Sequence, residues 1–220
     1  MVTMLNKDII PVIPQLGSVG ASGDLTPLSY LAAAIMGERT VYYKGKIVPT
    51  KQAFEAEGIK PLPIEAKEGL ALMNGTSVMT AVASLAWKKA ERLAKISDFL
   101  TAVTSEITRG KDTPFVAKVS EIKNHKGQCD SAAYVYNIIK NSKRVFRYED
   151  FLNSQIEKMD GKGFVAQQNK IQDRYSIRCA PQITGVYRDT LEIARKWITE
   201  ELNSANDNPL VDIEAGRLYN

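Results

Sequence analysis

TSVMTAVASLAWKKAERLAKISDFLTAVTSEITR, residues Thr76 to Arg109, is the stretch that decides the fold. Within it Val78, Val82, Leu85, Leu93, Ile96, Leu100, Val103 and Ile107 recur at three- and four-residue steps, with Lys88, Lys89, Glu91, Arg92 and Lys95 between them. That period puts the apolar side chains on one stripe and predicts a single helix of about thirty residues. A second stripe, Ile183, Val186, Tyr187, Leu191, Ala194, Ile198 and Leu202, predicts another helix from Ala180 to Asn203, stopped by the polar run that ends at Pro209. A shorter helix is expected from Ser131 to Asn141. The two long helices exceed the usual ~10 to 14 residues, so the chain reads as mainly α, an extended bundle of long helices.

Outside the helices, Thr40 to Val48 holds two short β-rich runs about a Lys44-Gly45 turn and predicts a surface hairpin. Arg144 to Lys170 is polar, carries Gly161 and Gly163 and lacks a period, which predicts a long loop. Leu5, Ile9, Ile10, Val12 and Ile13, interrupted by Pro11 and Pro14, read as a buried extended segment entering a loop, not as a secretory leader. The chain divides at the turn before the first long helix, into residues 1–75 with the hairpin and residues 76–220 with the long helices.

The composition of the 220 residues, 44% apolar and 25% charged, is that of a soluble globular protein. A net charge of +4, spread along the chain, marks neither a nucleic-acid footprint nor a membrane one. Cys129 and Cys179 read as reduced thiols in a cytoplasmic protein, and a single histidine, His125, excludes a multi-histidine metal site.

The chemistry is expected in Gly17-Ser18-Val19-Gly20-Ala21-Ser22-Gly23-Asp24-Leu25-Thr26-Pro27. Its glycines lack P-loop spacing, no Lys-Ser/Thr follows, and Asp24 would repel a phosphate. Asp24 also stands where a G-x-S-x-G nucleophile elbow needs glycine. Backbone chemistry remains. In a sufficiently compressed turn the Gly23 amide nitrogen can attack the Ala21 carbonyl carbon, because glycine has no Cβ to block the approach. Ser22 can then lose its hydroxyl as water, leaving an exocyclic methylene, an electrophile that ordinary side chains cannot supply. Thr26-Pro27 fits an N-cap and first helical position, aiming the positive end of a helix at the ring.

This segment resembles the signature of the ammonia-lyases and aminomutases that carry 4-methylidene-imidazol-5-one, the histidine and phenylalanine/tyrosine ammonia-lyase family. Three further segments resemble that family in the same order: Glu68-Gly69-Leu70-Ala71-Leu72-Met73-Asn74-Gly75-Thr76, Gln172-Asp173-Arg174-Tyr175-Ser176-Ile177-Arg178-Cys179, and Asn203 to Leu210. The resemblance covers most of the chain and implies a long-helix fold of the fumarase/aspartase-like type. It implies that Ala21, Ser22 and Gly23 form the prosthetic group and that Asp24 either assists cyclisation or is a solvated turn carboxylate. Asn74 would hydrogen-bond the ring oxygen, Tyr175 would be a polar catalytic group beside it, Arg178 would bind the substrate carboxylate and Gln172 would neighbour the bound substrate. The run Asn203 to Asn208 would form either a polar wall of the site or simply the loop ending a helix.

The family's members are longer. By resemblance the chain is their central portion, without the N-terminal tyrosine loop assigned as base or the C-terminal segment bearing a further carboxylate, so the 220 residues alone are expected to lack turnover. The implied activity is elimination of ammonia from L-histidine, with L-phenylalanine or L-tyrosine open because Ser29-Tyr30 stands where many histidine lyases have Ser-His. A 2,3-aminomutase using the same electrophile, and a non-catalytic structural fragment, are the alternatives. The family assembles as a homotetramer with sites shared between subunits, so extensive apolar surface is expected on this chain viewed alone.

Overall fold

The computed structural model describes residues 1–158, 161, 171–206 and 209–219. It is mostly helical, as the long periodic stretches predict. Its contacts divide the chain into two compact units, Met1–Ser84 with Ile198–Asn220, and Leu85–Trp197. The division falls inside the two long helices, because a helix of that length outruns any one local core.

The first unit begins with α1 (Val2–Asn6) and β1 (Ile10–Pro11), then α2 (Leu25–Ile35), the hairpin β2 (Thr40–Tyr43) and β3 (Lys46–Pro49), α3 (Thr50–Glu57) and α4 (Glu68–Met73). The predicted hairpin is present, and β1 adds a third antiparallel strand to it through Ile10 opposite Tyr42 and Pro11 opposite Val41. The buried extended N-terminal segment requires correction. Residues 2–6 are helical, and of the apolar residues named there only Ile9 is buried, while Leu5, Ile10 and Ile13 are exposed. The core gathers Met4, Ile9, Ala34, Ile35, Val41, Tyr43, Ala53 and Phe54. Glu57 ties its edge together, accepting a hydrogen bond from the Tyr43 hydroxyl and pairing with Lys7 and Lys44. These partners hold its carboxyl down at about 2.

The long helix α5 (Ser77–Ile107) matches its predicted span within two residues at either end. A 3₁₀ turn (Thr113–Phe115), α6 (Ala117–Lys123), α7 (Lys126–Ile139), α8 (Tyr148–Lys158), α9 (Tyr175–Arg178) and the second long helix α10 (Ala180–Leu202) follow. The chain then ends on the antiparallel pair β4 (Leu210–Asp212) and β5 (Arg217–Tyr219) in the first unit. The loop expected over 144–170 also requires correction. Tyr148 to Lys158 is helical, started by the Asp112 carboxylate accepting the Tyr148 N–H at 3.1 Å. Of the remainder, residues 159, 160 and 162–170 lie outside the described residues.

In the second unit Ala102, Phe115, Val135, Ile139, Val145 and Ile177 form the core. α7 and α10 approach at Gly127 and Gly185, where a Cβ on Gly127 would come within 2.2 Å of the Gly185 carbonyl oxygen. Nearby, the fully buried Asp98 of α5 accepts hydrogen bonds from Ser131 Oγ (2.6 Å) and from Arg188 Nε and Nη2 (3.0 and 2.6 Å). Losing either partner of such a buried pair costs about 3–5 kcal/mol, so this network fixes the register of three helices.

Candidate active site

The four segments singled out in the sequence fall into two groups, one in each unit. In the first unit the Ala21-Ser22-Gly23 turn stands exposed at Ala21 and Ser22 and is pinned at both sides. Gly20 and Gly23 take φ of +63° and +76°, a region that L side chains rarely adopt. Asp24 is the anchor and is 3% exposed, so the alternative of a solvated turn carboxylate is overturned. Its Oδ1 accepts the Ser18 hydroxyl at 2.6 Å, and its Oδ2 accepts the N–H of Met79, in the first turn of α5, at 2.7 Å. That N–H has no intrahelical partner, and the helix dipole there favours a carboxylate.

The anchoring explains a second departure from expectation. Thr26 and Pro27 do not open α2. The helix begins at Leu25 with Asp24 in the N-cap position, and Asp24 makes no side-chain bond to its own helix. Its carboxylate is spent on α5 and Ser18 instead. Pro27 is tolerated because first-turn N–H groups have no helical acceptor.

Gly75 lies against the turn, and Asn74 immediately precedes it in the chain. Asn74 ends α4 and is half-buried. The Gly75 carbonyl accepts the Asp24 N–H at 2.9 Å and crowds Gly23 so closely that a Cβ there would lie 2.3 Å from the Gly75 oxygen. A Cβ on Gly75 would in turn lie 2.8 Å from Asn206 Oδ1, which accepts the Thr76 N–H at 3.0 Å. Thus Asn206 backs Gly75, and Gly75 backs Gly23. Elsewhere in the polar run, Asn203 Nδ2 and Ser204 Oγ return to carbonyls of their own helix, Thr199 and Glu201. So Asn203 and Ser204 end a helix while Asn206 buttresses the turn; Asp207 and Asn208 lie outside the described residues.

In the second unit Asp173, 6% exposed, anchors the segment with Gln172, Tyr175 and Arg178. Its Oδ2 accepts the Lys111 N–H at 2.7 Å, and Lys111 Nζ donates to the Ile171 carbonyl at 2.6 Å. The Arg178 guanidinium, half-buried at the end of α9, stacks 4.0 Å from the centroid of the Tyr175 ring. Gln172 and Arg178 line one cavity of about 440 Å³ with Lys111, Phe146, Arg147 and Gln182; Tyr175, 72% exposed, does not line it. Lys111, Arg147 and Arg178 outnumber the one acidic residue in the lining, Asp173, a balance that favours an anionic group such as a carboxylate.

Sequence reasoning gave no role to Ser18, Gly75 or Asp173, and offered Asn206 only as part of a run forming either a polar wall of the site or a helix-ending loop. Each sits inside a segment that had been singled out. What distinguishes them is partners 6, 52, 62 and 130 positions away, in order Asp24, Gly23, Lys111 and Thr76, which no local pattern displays.

This long-helix fold is shared with solved ammonia-lyases and aminomutases. The tyrosine aminomutase of Streptomyces globisporus superposes with a TM-score of 0.86 at 39% identity, over 99% of this chain and 41% of that one. The phenylalanine aminomutase of Pantoea agglomerans gives 0.88 at 36% identity, over 99% of this chain and 42% of that one. In sequence, a histidine ammonia-lyase of Stigmatella aurantiaca is 43% identical over 98% of this chain and 39% of its own length. An MIO-dependent tyrosine 2,3-aminomutase of Streptomyces globisporus is also 43% identical, over 94% of this chain and 39% of its own length. The family model for aromatic amino acid lyases matches residues 1–220, and the chain belongs to that family. It spans about two fifths of the length of these relatives.

Proposed function

We propose that this chain is the electrophile-bearing part of an aromatic amino acid ammonia-lyase that eliminates ammonia from L-histidine, or from L-phenylalanine or L-tyrosine, to give the α,β-unsaturated acid. The observation that carries the reading is the cradle around Gly23, whose positive φ and contact with Gly75 leave no room for a side chain. The residues present therefore fit 4-methylidene-imidazol-5-one, with Ala21, Ser22 and Gly23 as its atoms. That group would supply an electrophile that makes the substrate's amine a better leaving group. Asp24 and Gly75 hold the turn, and Asn74, which precedes Gly75 in the chain, is the candidate donor to the ring oxygen. Arg178 offers a planar fork to the substrate carboxylate, and Gln172 a polar neighbour in the same cavity. Tyr175, stacked on Arg178, is the candidate polar catalytic group of this segment. No step in this reading calls on a metal or nucleotide.

The aminomutase reading rests on relatives of that activity at the same 43% identity as the histidine lyase. Product analysis on the full-length protein decides: a free unsaturated acid indicates a lyase, a β-amino acid a mutase. Intact mass tests the electrophile itself, with a deficit of two waters expected in residues 21–23. An undiminished mass would overturn the reading.

The apolar stripes support assembly. Leu85, Leu93 and Leu100 on α5, and Ile183, Val186 and Trp197 on α10, are all exposed on this chain, an amount of apolar surface that calls for a protein cover. The stretch 68–107 is apolar enough by length and composition to cross a membrane. Lys88, Lys89, Glu91, Arg92 and Lys95 within it support protein contacts in a cytoplasmic homotetramer instead. Light scattering on the full-length enzyme tests the assembly, and a monomer would refute it.

A further inference from the structure

We propose that Ser18 is a positioning residue for formation of the prosthetic group, acting through Asp24 to draw the Ala21-Ser22-Gly23 turn together; the inference rests on the electrophile proposed above. Ser18 lies three positions before Ala21, and Asp24 immediately follows Gly23. The Ser18 hydroxyl donates to Asp24 Oδ1 at 2.6 Å and accepts the Gly20 N–H at 3.2 Å. One hydroxyl thus bridges both ends of the segment that must shorten. Asp24 is itself immobilised, its other oxygen taken by the Met79 N–H and its own N–H by the Gly75 carbonyl. With one end fixed to α5, the bond from Ser18 constrains the other.

Ring closure needs that constraint. The Gly23 nitrogen forms a bond to the Ala21 carbonyl carbon. The carbonyl oxygen then leaves as water with the protons of the Gly23 and Ser22 nitrogens, and a double bond forms between that carbon and the Ser22 nitrogen. The second water takes the Ser22 hydroxyl and the Ser22 Cα proton, leaving the exocyclic methylene. No oxidant or co-reactant is required. The slow element is bringing an amide nitrogen within bonding distance of a carbonyl two residues earlier, a matter of holding geometry and not of acid–base strength. Losing the Ser18 hydroxyl removes the bond that ties residues 18–20 to Asp24, beside Ala21 and Ser22, which are exposed.

The test uses cell-free synthesis of the full-length protein, quenched at intervals. The mass of the proteolytic peptide containing residues 18–24 is followed for the unsubstituted protein, Ser18→Ala and Ser18→Thr. Ser18→Ala is expected to lose its two waters about tenfold more slowly or worse, the effect of one hydrogen bond to a charged acceptor. Its far-UV spectrum should be unchanged, with at most a small drop in thermal midpoint from the donor lost to Asp24, so that slower water loss is not a failure to fold. Ser18→Thr keeps the hydroxyl and should restore the rate. Water loss in Ser18→Ala at the unsubstituted rate, or a Ser18→Thr as slow as Ser18→Ala, would overturn the proposal while leaving the electrophile standing. Retention of both waters in the unsubstituted protein would overturn both.

Discussion

The Ala-Ser-Gly turn of the first unit and the Gln172 to Arg178 segment of the second are held by the same device and used in opposite ways. Each depends on a buried aspartate whose carboxylate accepts a backbone N–H from a distant residue, Asp24 from Met79 and Asp173 from Lys111. At the turn the proposed ring is built from backbone atoms and the Ser22 side chain, and glycine stands at 20, 23 and 75, where φ is positive or backbones crowd. At the second segment the candidate groups are side chains, and the backbone is pinned while Gln172 and Tyr175 remain exposed. A buried carboxylate anchor is thus indifferent to the chemistry it supports. What differs is whether the anchored strip is stripped of side chains or displays them.

Four experiments press on that contrast. The largest effect is expected at Ser22, the one side chain the turn cannot do without: Ser22→Ala should lower turnover of the full-length enzyme by about 10³-fold or more while leaving its thermal midpoint unchanged. Comparable activity would place the chemistry elsewhere. Gly23→Ala should fail structurally as well, because the added Cβ meets the Gly75 backbone at a positive φ. Overpacking and left-handed strain together put its cost at roughly 2–4 kcal/mol, measurable by denaturant unfolding.

The second segment should respond differently. Asp173→Ala takes the acceptor away from the part-buried Lys111 N–H, a cost of about 1 kcal/mol. Because the anchor positions Arg178 and Gln172, the variant should raise KM more than it lowers kcat. An unchanged KM would separate Asp173 from the substrate side chains.

The smallest effect is a pH response opposite in sign in the two units. Glu57, held at about 2 against an ordinary 4.5, stabilises the folded first unit at pH values above 4.5 and loses that contribution as pH falls towards 2. Asp112 in the second unit is raised above its ordinary 3.8, chiefly by burial. Its linkage is most favourable below 3.8 and is lost as pH rises through its folded value. Amide hydrogen exchange at pH 3 and pH 6 should therefore show acid weakening around Tyr43 and Glu57 that Glu57→Gln removes, without matching weakening at Tyr148.

Much of this was legible before any coordinates. Residues 76–109 and 180–203 repeat their apolar residues with a helical period, and a local period needs no tertiary information to be read. The Thr40 to Val48 hairpin was legible for the same reason. Tyr148 to Lys158 was missed although Tyr148, Phe151, Leu152 and Ile156 recur at helical spacing, because the polar, glycine-bearing residues around it mask so short a period, and its start is set by Asp112, thirty-six positions earlier. The N-terminal residues misled because Pro11 and Pro14 suggested extension throughout, whereas Val2–Asn6 lies upstream of both and coils before them.

By itself the sequence determined the long helices and the glycine-rich segment around Ala21-Ser22-Gly23, because each is a property of neighbouring residues. Only the tertiary structure decided how the triplet is held. Asp24 reaching α5 and Asn206 standing behind Gly75 are contacts between residues far apart in the chain, and Ser18 reaching Asp24 is a closure no local pattern displays. Whether a carboxylate is buried or solvated, and whether a glycine has room for a side chain, are set by what packs against it.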